Sequence, residues 1–295
     1  MIVKHNLNWR LILRQNWRAL VFIVVVGLAS TVLELQWPQE KELLPPTAVG
    51  ALSAALAIFL AFRNSAGYDR WWEARKQWGS LINSTRSFAR QLATLGAAKP
   101  EVQRAMLYRQ IAFAHALRLQ LRGQQKELKE TLAPFVEASE LERIAGSTNA
   151  AMWLLQNQGA AVKALELEPI RHARLDETLS ALTDVQGACE RLKTTPVPRQ
   201  YEYFPRLFLY VYAVLLPLAL AAHLEWFTVC VTVPVSFLFM ALERVGEVME
   251  TPFENRVTDV PLSAMCRTIE RNLRELAGDT EKLPPPLEPI DGYLW

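Results

Sequence analysis

Ala54, Ile58 and Phe62 recur at every fourth position, with Gly50 before them, inside an uncharged run from Leu43 to Phe62. Residues four apart share one face of a helix. That face widens from no side chain at Gly50 to a phenyl ring at Phe62, where the charged part of the chain begins. Such groups transfer neither protons nor electrons; their chemistry is the exclusion of water. By pattern alone they read as bundle packing or lipid contact, since most apolar stripes are core. The opposite face holds Ala51, Ala55, Leu56 and Phe59, where small residues would admit a neighbouring helix closely.

Side chains able to do covalent or acid–base work are sparse. His5, His115, His172 and His223 lie far apart in the chain, and each reads as a surface or packing residue. Cys189, Cys230 and Cys266 are scattered and odd in number, with no disulfide framework or zinc spacing, which fits a reducing cytosol. Cys230 lies in an apolar run and reads as a small packing residue. Glu177 and Asp184 share a helix face, and a solvated face explains them. There is no glycine-rich phosphate loop, HExxH, CxxC or Ser-centred elbow. Catalysis, metal binding and cofactors therefore have no support.

The elements that position the stripe follow from hydropathy. Apolar residues make up 51% of the 295 residues and charged residues 21%, so membrane helices are joined to a substantial water-exposed part. A net charge of +2 gives nucleic acid no foothold. The run Leu43 to Phe62 is 20 residues, and a spanning helix needs about 20. Residues 1–62 thus carry two spans, about 17–35 and 43–62. Residues 63–206 read as a helical cytosolic region, 207–242 as a tight transmembrane hairpin, and 243–278 as a cytosolic helical tail. Residues 279–295 read as a Pro-rich extended arm without packing of its own. The fold class is an all-α membrane protein.

Within the cytosolic part, Leu107, Ile111, Ala114, Leu117 and Leu121 form one stripe, ended by Gly123. Leu175, Leu179, Leu182, Val185, Cys189 and Leu192 form another. In the tail, Leu262, Met265, Ile269, Leu273 and Leu276 form a third, with Asp259 expected as its cap. Lys and Arg crowd the N-terminus and the segments after Phe62 and Leu242, whereas the short connections are acidic or neutral. The positive-inside rule puts both termini in the cytoplasm. No span has an acid or base in its interior, so one copy cannot surround a wet path. If ions cross, several copies must each supply a helix.

Arg70-Trp71-Trp72-Glu73, placed after a span that ends in Phe62, resembles the bestrophin family in its bacterial branch. Gln186-Gly187, Pro252-Phe253 and Arg271-Asn272-Leu273 match as well, and the resemblance runs from residue 1 to about 277. It implies a homopentameric ion channel in the inner membrane of a bacterium, with lipid and permeant monovalent ions as its partners. The pore neck then falls on Ala54, Ile58 and Phe62, with Ala54 smaller than the family's usual bulky group. The resemblance places a second, cytosolic aperture around Arg171 to Leu175, with His172 as the single choice; a ring of histidines there would carry a charge switched by pH. Five Ile58 and five Phe62 side chains would gate by dewetting or slight widening. An apolar neck does not choose the sign of the ion. Animal members pass anions such as chloride, whereas the bacterial branch resembles cation-passing channels, and the sign stays open. Animal members also carry a calcium clasp after Pro-Phe. Here the segment is Glu254-Asn255-Arg256-Val257-Thr258, too poor in acids for the six to eight oxygens calcium takes. The competing reading is a membrane-anchored scaffold or sensor.

Overall fold

In the computed structural model the chain is almost wholly helical, and the description covers residues 1–3, 9–37 and 44–295, without the side chains of 9–11, 15 and 282. Leu43, the expected first residue of the second span, the acids Glu40 and Glu42, and His5 lie outside the described residues. Four helices are long and apolar enough to cross a membrane. They are α1 (Trp9–Gln36), α2 (Pro46–Leu95), α8 (Arg199–Leu224) and α9 (Phe227–Met249). The helix α2 runs unbroken for 50 residues. Its sequence explains this: no proline follows Pro46, which sits at the first turn where a missing N–H costs nothing.

The chain divides into two compact units, Lys4–Arg70 with Pro196–Glu250, and Met1–Val3 with Trp71–Thr195 and Thr251–Trp295. The unit boundaries fall within α2 at Arg70 and just before α8 at Pro196. The helix α8 begins at Arg199, before the apolar run, and carries Pro205 and Pro217 inside it.

In the spanning unit, Ile23, Leu56, Leu60, Leu209, Tyr212 and Met240 form the core. Its helices are not apolar throughout. Thr228, Thr232 and Ser236 of α9 are fully buried, as is Thr31 of α1, whose hydroxyl donates to Gly27 O at 2.9 Å. The two helices pack at Gly27, where a Cβ would be in ordinary contact with Thr232 Oγ1 at 3.5 Å. The expected packing face of α2 needs correction. Ala51, Ala55 and Phe59 are exposed, and only Leu56 of that set is buried. Cys230 is exposed too, not a packing residue.

The other unit is built from α2 beyond Arg70 together with α3 (Pro100–Arg122), α4 (Leu128–Leu132), α5 (Ala138–Ala145), α6 (Ala150–Lys163), α7 (Pro169–Thr194) and α10 (Leu262–Leu276). Trp78, Leu81, Phe88, Leu117, Leu154, Leu182 and Leu273 sit in one core. Gly123 closes α3 with φ 68, the left-handed conformation that favours glycine. Asn149 opens α6 by accepting from Met152 N at 3.0 Å. Burial pushes the thiols of Cys189 and Cys266 up to about 12, so both behave as apolar filler.

Two expectations about the tail fail. Asp259 does not cap α10; its Oδ2 accepts from Arg256 N at 3.0 Å and closes the preceding turn. Leu276 is 57% exposed, outside the stripe. The Pro-rich arm is extended, but it is packed. Leu294 N donates to Met1 O and Val3 N to Gly292 O, both at 2.9 Å, while Ala264 N donates to Trp295 O at 2.8 Å. Prolines cannot extend a helix, yet their carbonyls still accept: Arg271 Nη1 donates to Pro284 O at 2.9 Å.

Candidate pore-lining site

The rotation of α2 about its own axis decides what its apolar stripe can do. Leu56 and Leu60 are buried at 1% and 2% exposure, and Arg63 continues that face at 2%. Ile58 and Phe62 lie on the other side, 58% and 69% exposed, and Ala54 is exposed with them. A Cβ at Gly50 would meet nothing within 4 Å. The chain's own packing therefore leaves the whole stripe uncovered.

Arg63 is what fixes this rotation, and the sequence analysis passed over it. Its Nη1 lies 2.5 Å from Glu243 Oε1 and its Nε 3.2 Å from Glu250 Oε1. Arg206 joins from α8, with Nε 3.2 Å from Glu243 and Nη2 3.3 Å from Glu247. Burying a guanidinium this deeply is costly without such partners. One turn on, the backbones close up: a Cβ on Gly67 would stand 2.8 Å from Gly246 O. The signal was legible in Glu243, Glu247 and Glu250, which share one face of α9 and its end by their spacing. Reading each charge as a loop marker hid it.

The Arg-Trp-Trp-Glu motif is spent on holding backbone. Arg70 Nε donates to Glu250 O at 3.0 Å, and Trp71 Nε1 to Thr258 O at 3.0 Å. The Trp71 and Trp72 rings stack, 6.5 Å apart. Glu73 pairs with Lys76 at 2.7 Å and accepts from Gln77. His172 sits in the first turn of α7, half-exposed, its backbone N donating to Glu168 O at 2.9 Å. Its neighbours pair within the helix, Arg171 with Glu168 and Arg174 with Glu177.

After Pro252-Phe253 the acids are held within the chain. Glu254 is held by Lys193 Nζ at 2.6 Å. Asp259 is 2% exposed, with one oxygen committed to Arg256 N, and burial pushes its carboxyl above the usual range. Among the described residues no group of three His, Cys, Asp or Glu stands close enough to hold a metal.

Residues 9–275 match the family described as Bacterial/Fungal Bestrophin protein. This chain belongs to the bestrophin family. A voltage-dependent anion channel-forming protein of Mesorhizobium japonicum is 36% identical over 253 residues, 84% of this chain and 80% of its own. One of the same description from Escherichia coli K12 is 35% identical over 82% of this chain and 80% of its own. A crystal structure of a bacterial bestrophin homologue from Klebsiella pneumoniae, a single-substitution variant, superposes with TM-score 0.85. It is 32% identical, covering 90% of this chain and 98% of that one. The chain is thus a membrane protein and an ion channel of the bestrophin type.

Proposed function

We propose that five copies of this chain surround a central axis and conduct monovalent ions through a neck lined by Ala54, Ile58 and Phe62. The observation that carries this reading is the exposure of Ile58 and Phe62 on a helix whose opposite face is pinned by Arg63. A phenyl ring beside a buried ion pair, at the charged end of a span, needs a cover, and symmetry-related copies supply one. Rings of Ile58 and Phe62 form an apolar constriction that passes ions when slight widening lets water in. Ala54 makes the outer end of that neck wider.

The neck carries no charge, so the sign of the permeant ion is set by what flanks it. The names of the relatives favour anions, and the branch resemblance favours cations. The positive-inside rule sets both termini in the cytoplasm of a bacterial inner membrane, with His172 at the cytosolic aperture. Calcium finds a poor clasp there, because Glu254 is held by Lys193, Asp259 keeps one oxygen on Arg256 N, and the segment offers no further acid.

Purified protein in liposomes tests the whole reading. A trapped monovalent salt leaks out, Phe62→Ala raises the rate, calcium leaves it unchanged, and the reversal potential in a salt gradient gives the sign. No flux from either protein refutes the conduit and favours the scaffold.

A further inference from the structure

A cleft of about 270 Å³ opens among α1, α8 and α9, and no neck residue borders it. Arg18, Arg206 and Arg244 line it with Glu243 and Glu247, above a floor that includes Leu209 and Met240. Three guanidiniums face two carboxylates. The two acids are shared out: Glu243 between Arg63 and Arg206, Glu247 between Arg206 and Arg244. Among the described residues, Arg18 meets no carboxylate; its guanidinium stands 5.6 Å from the centre of the Trp17 ring. Arg244 Nε is buried without a hydrogen-bond partner. Its Nη1 is taken by Glu247, but a buried donor left unmade is costly, so a missing acceptor at Nε is the natural explanation.

The surroundings say what kind of acceptor. Arg18 heads an apolar face of α1: Val21, Val25 and Leu28 follow it at helical spacing, 52%, 58% and 41% exposed. A positive cleft at one end of a bare apolar stripe is amphipathic, and Trp17 and Tyr210 are of the ring types that border a membrane. Basic pockets between spanning helices take anionic lipid headgroups. The geometry points to this cleft as a binding site for the phosphodiester of an anionic phospholipid, held by Arg18 and Arg244, with its acyl chain along Val21, Val25 and Leu28. This rests on the membrane placement of the helices and not on conduction, so the two readings fail separately.

The test uses full-length protein in detergent, stripped of lipid, titrated with short-chain phosphatidylglycerol, short-chain phosphatidylcholine and inorganic phosphate. Saturable binding of phosphatidylglycerol, at least about tenfold tighter than phosphatidylcholine, is the expected result. Arg18→Gln alone weakens it about fivefold, one surface guanidinium's worth, and Arg18→Lys keeps most of it. Arg18→Gln with Arg244→Gln weakens it at least about tenfold, in protein whose elution volume is unchanged. Should the double variant fail to assemble, Arg18→Gln decides alone, because its side chain is exposed and pairs with no acid. Equal binding of the two lipids, or binding indifferent to Arg18→Gln, overturns the proposal. Inorganic phosphate competing at equal concentration overturns the lipid and leaves a free-phosphate site.

Discussion

Removing Arg63 should cost the spanning unit heavily, and the size follows from who loses a partner. Arg63→Met leaves Glu250 without its guanidinium at 3.2 Å and takes from Glu243 its contact at 2.5 Å. Breaking a buried pair on one side typically costs about 3–5 kcal/mol. Glu243 keeps Arg206 at 3.2 Å, which puts the loss near the lower end, about 3 kcal/mol. At about 2–4 °C per kcal/mol for a chain portion of this size, the unfolding midpoint in detergent drops by about 6–12 °C. The same measurement on Glu243→Gln and on the double variant closes a cycle. If the pair is real, the double variant is less destabilised than the sum of the singles by about 1–3 kcal/mol. A drop under about 2 °C, or costs that simply add, would refute the anchor and with it the account of why Ile58 and Phe62 face outward.

Three further outcomes follow. Gly67→Ala puts a methyl 2.8 Å from Gly246 O; the backbones must part, and the midpoint falls by the equivalent of about 1–3 kcal/mol. The unit built on α3 and α10 weakens in mild acid through His115, which is buried, stacked on Phe135 at 5.5 Å and 3.8 Å from Glu270. Burial lowers its pKa, so below about pH 6.5 the unfolded chain takes up a proton that the folded one refuses. Stability is then lost as pH falls, and His115→Asn flattens midpoints measured between pH 7.5 and 5.5. In liposomes, Phe62→Ala leaks faster than the parent while Phe59→Ala, off the stripe, leaves the rate within about twofold; equal acceleration by both would mean the neck is elsewhere.

Helix periods made much of this legible. Four spans, the long helical remainder and the stripes of α3 and α7 follow from apolar spacing, because those faces meet a single core and nothing else competes. The proposed neck is legible as a stripe, but pattern alone gives packing or lipid contact, and only the family resemblance makes it a pore wall. What escaped were pairings between distant segments. Arg63, Glu243 and Glu250 are far apart in the chain, and each alone looks like the charged end of a span. Asp259 has a capping residue's type and position, yet its carboxylate reaches Arg256 N first. The arm after Gly278 looked unstructured because proline removes donors, and its carbonyl partners lie too far away in sequence to be read.

The unbroken course of α2 has a mechanical consequence. With no proline past Pro46 to hinge on, the helix moves most simply by leaning as a rod. If Arg63 is the fulcrum, Gly50 lies about 20 Å up the shaft at 1.5 Å per residue. A lean of about 5° then swings that end sideways by about 2 Å, while Phe62, beside the fulcrum, barely travels. Widening at the proposed Phe62 ring then has to come from turning of its side chain or shifting of the whole rod, while leaning alone flares the Gly50 end.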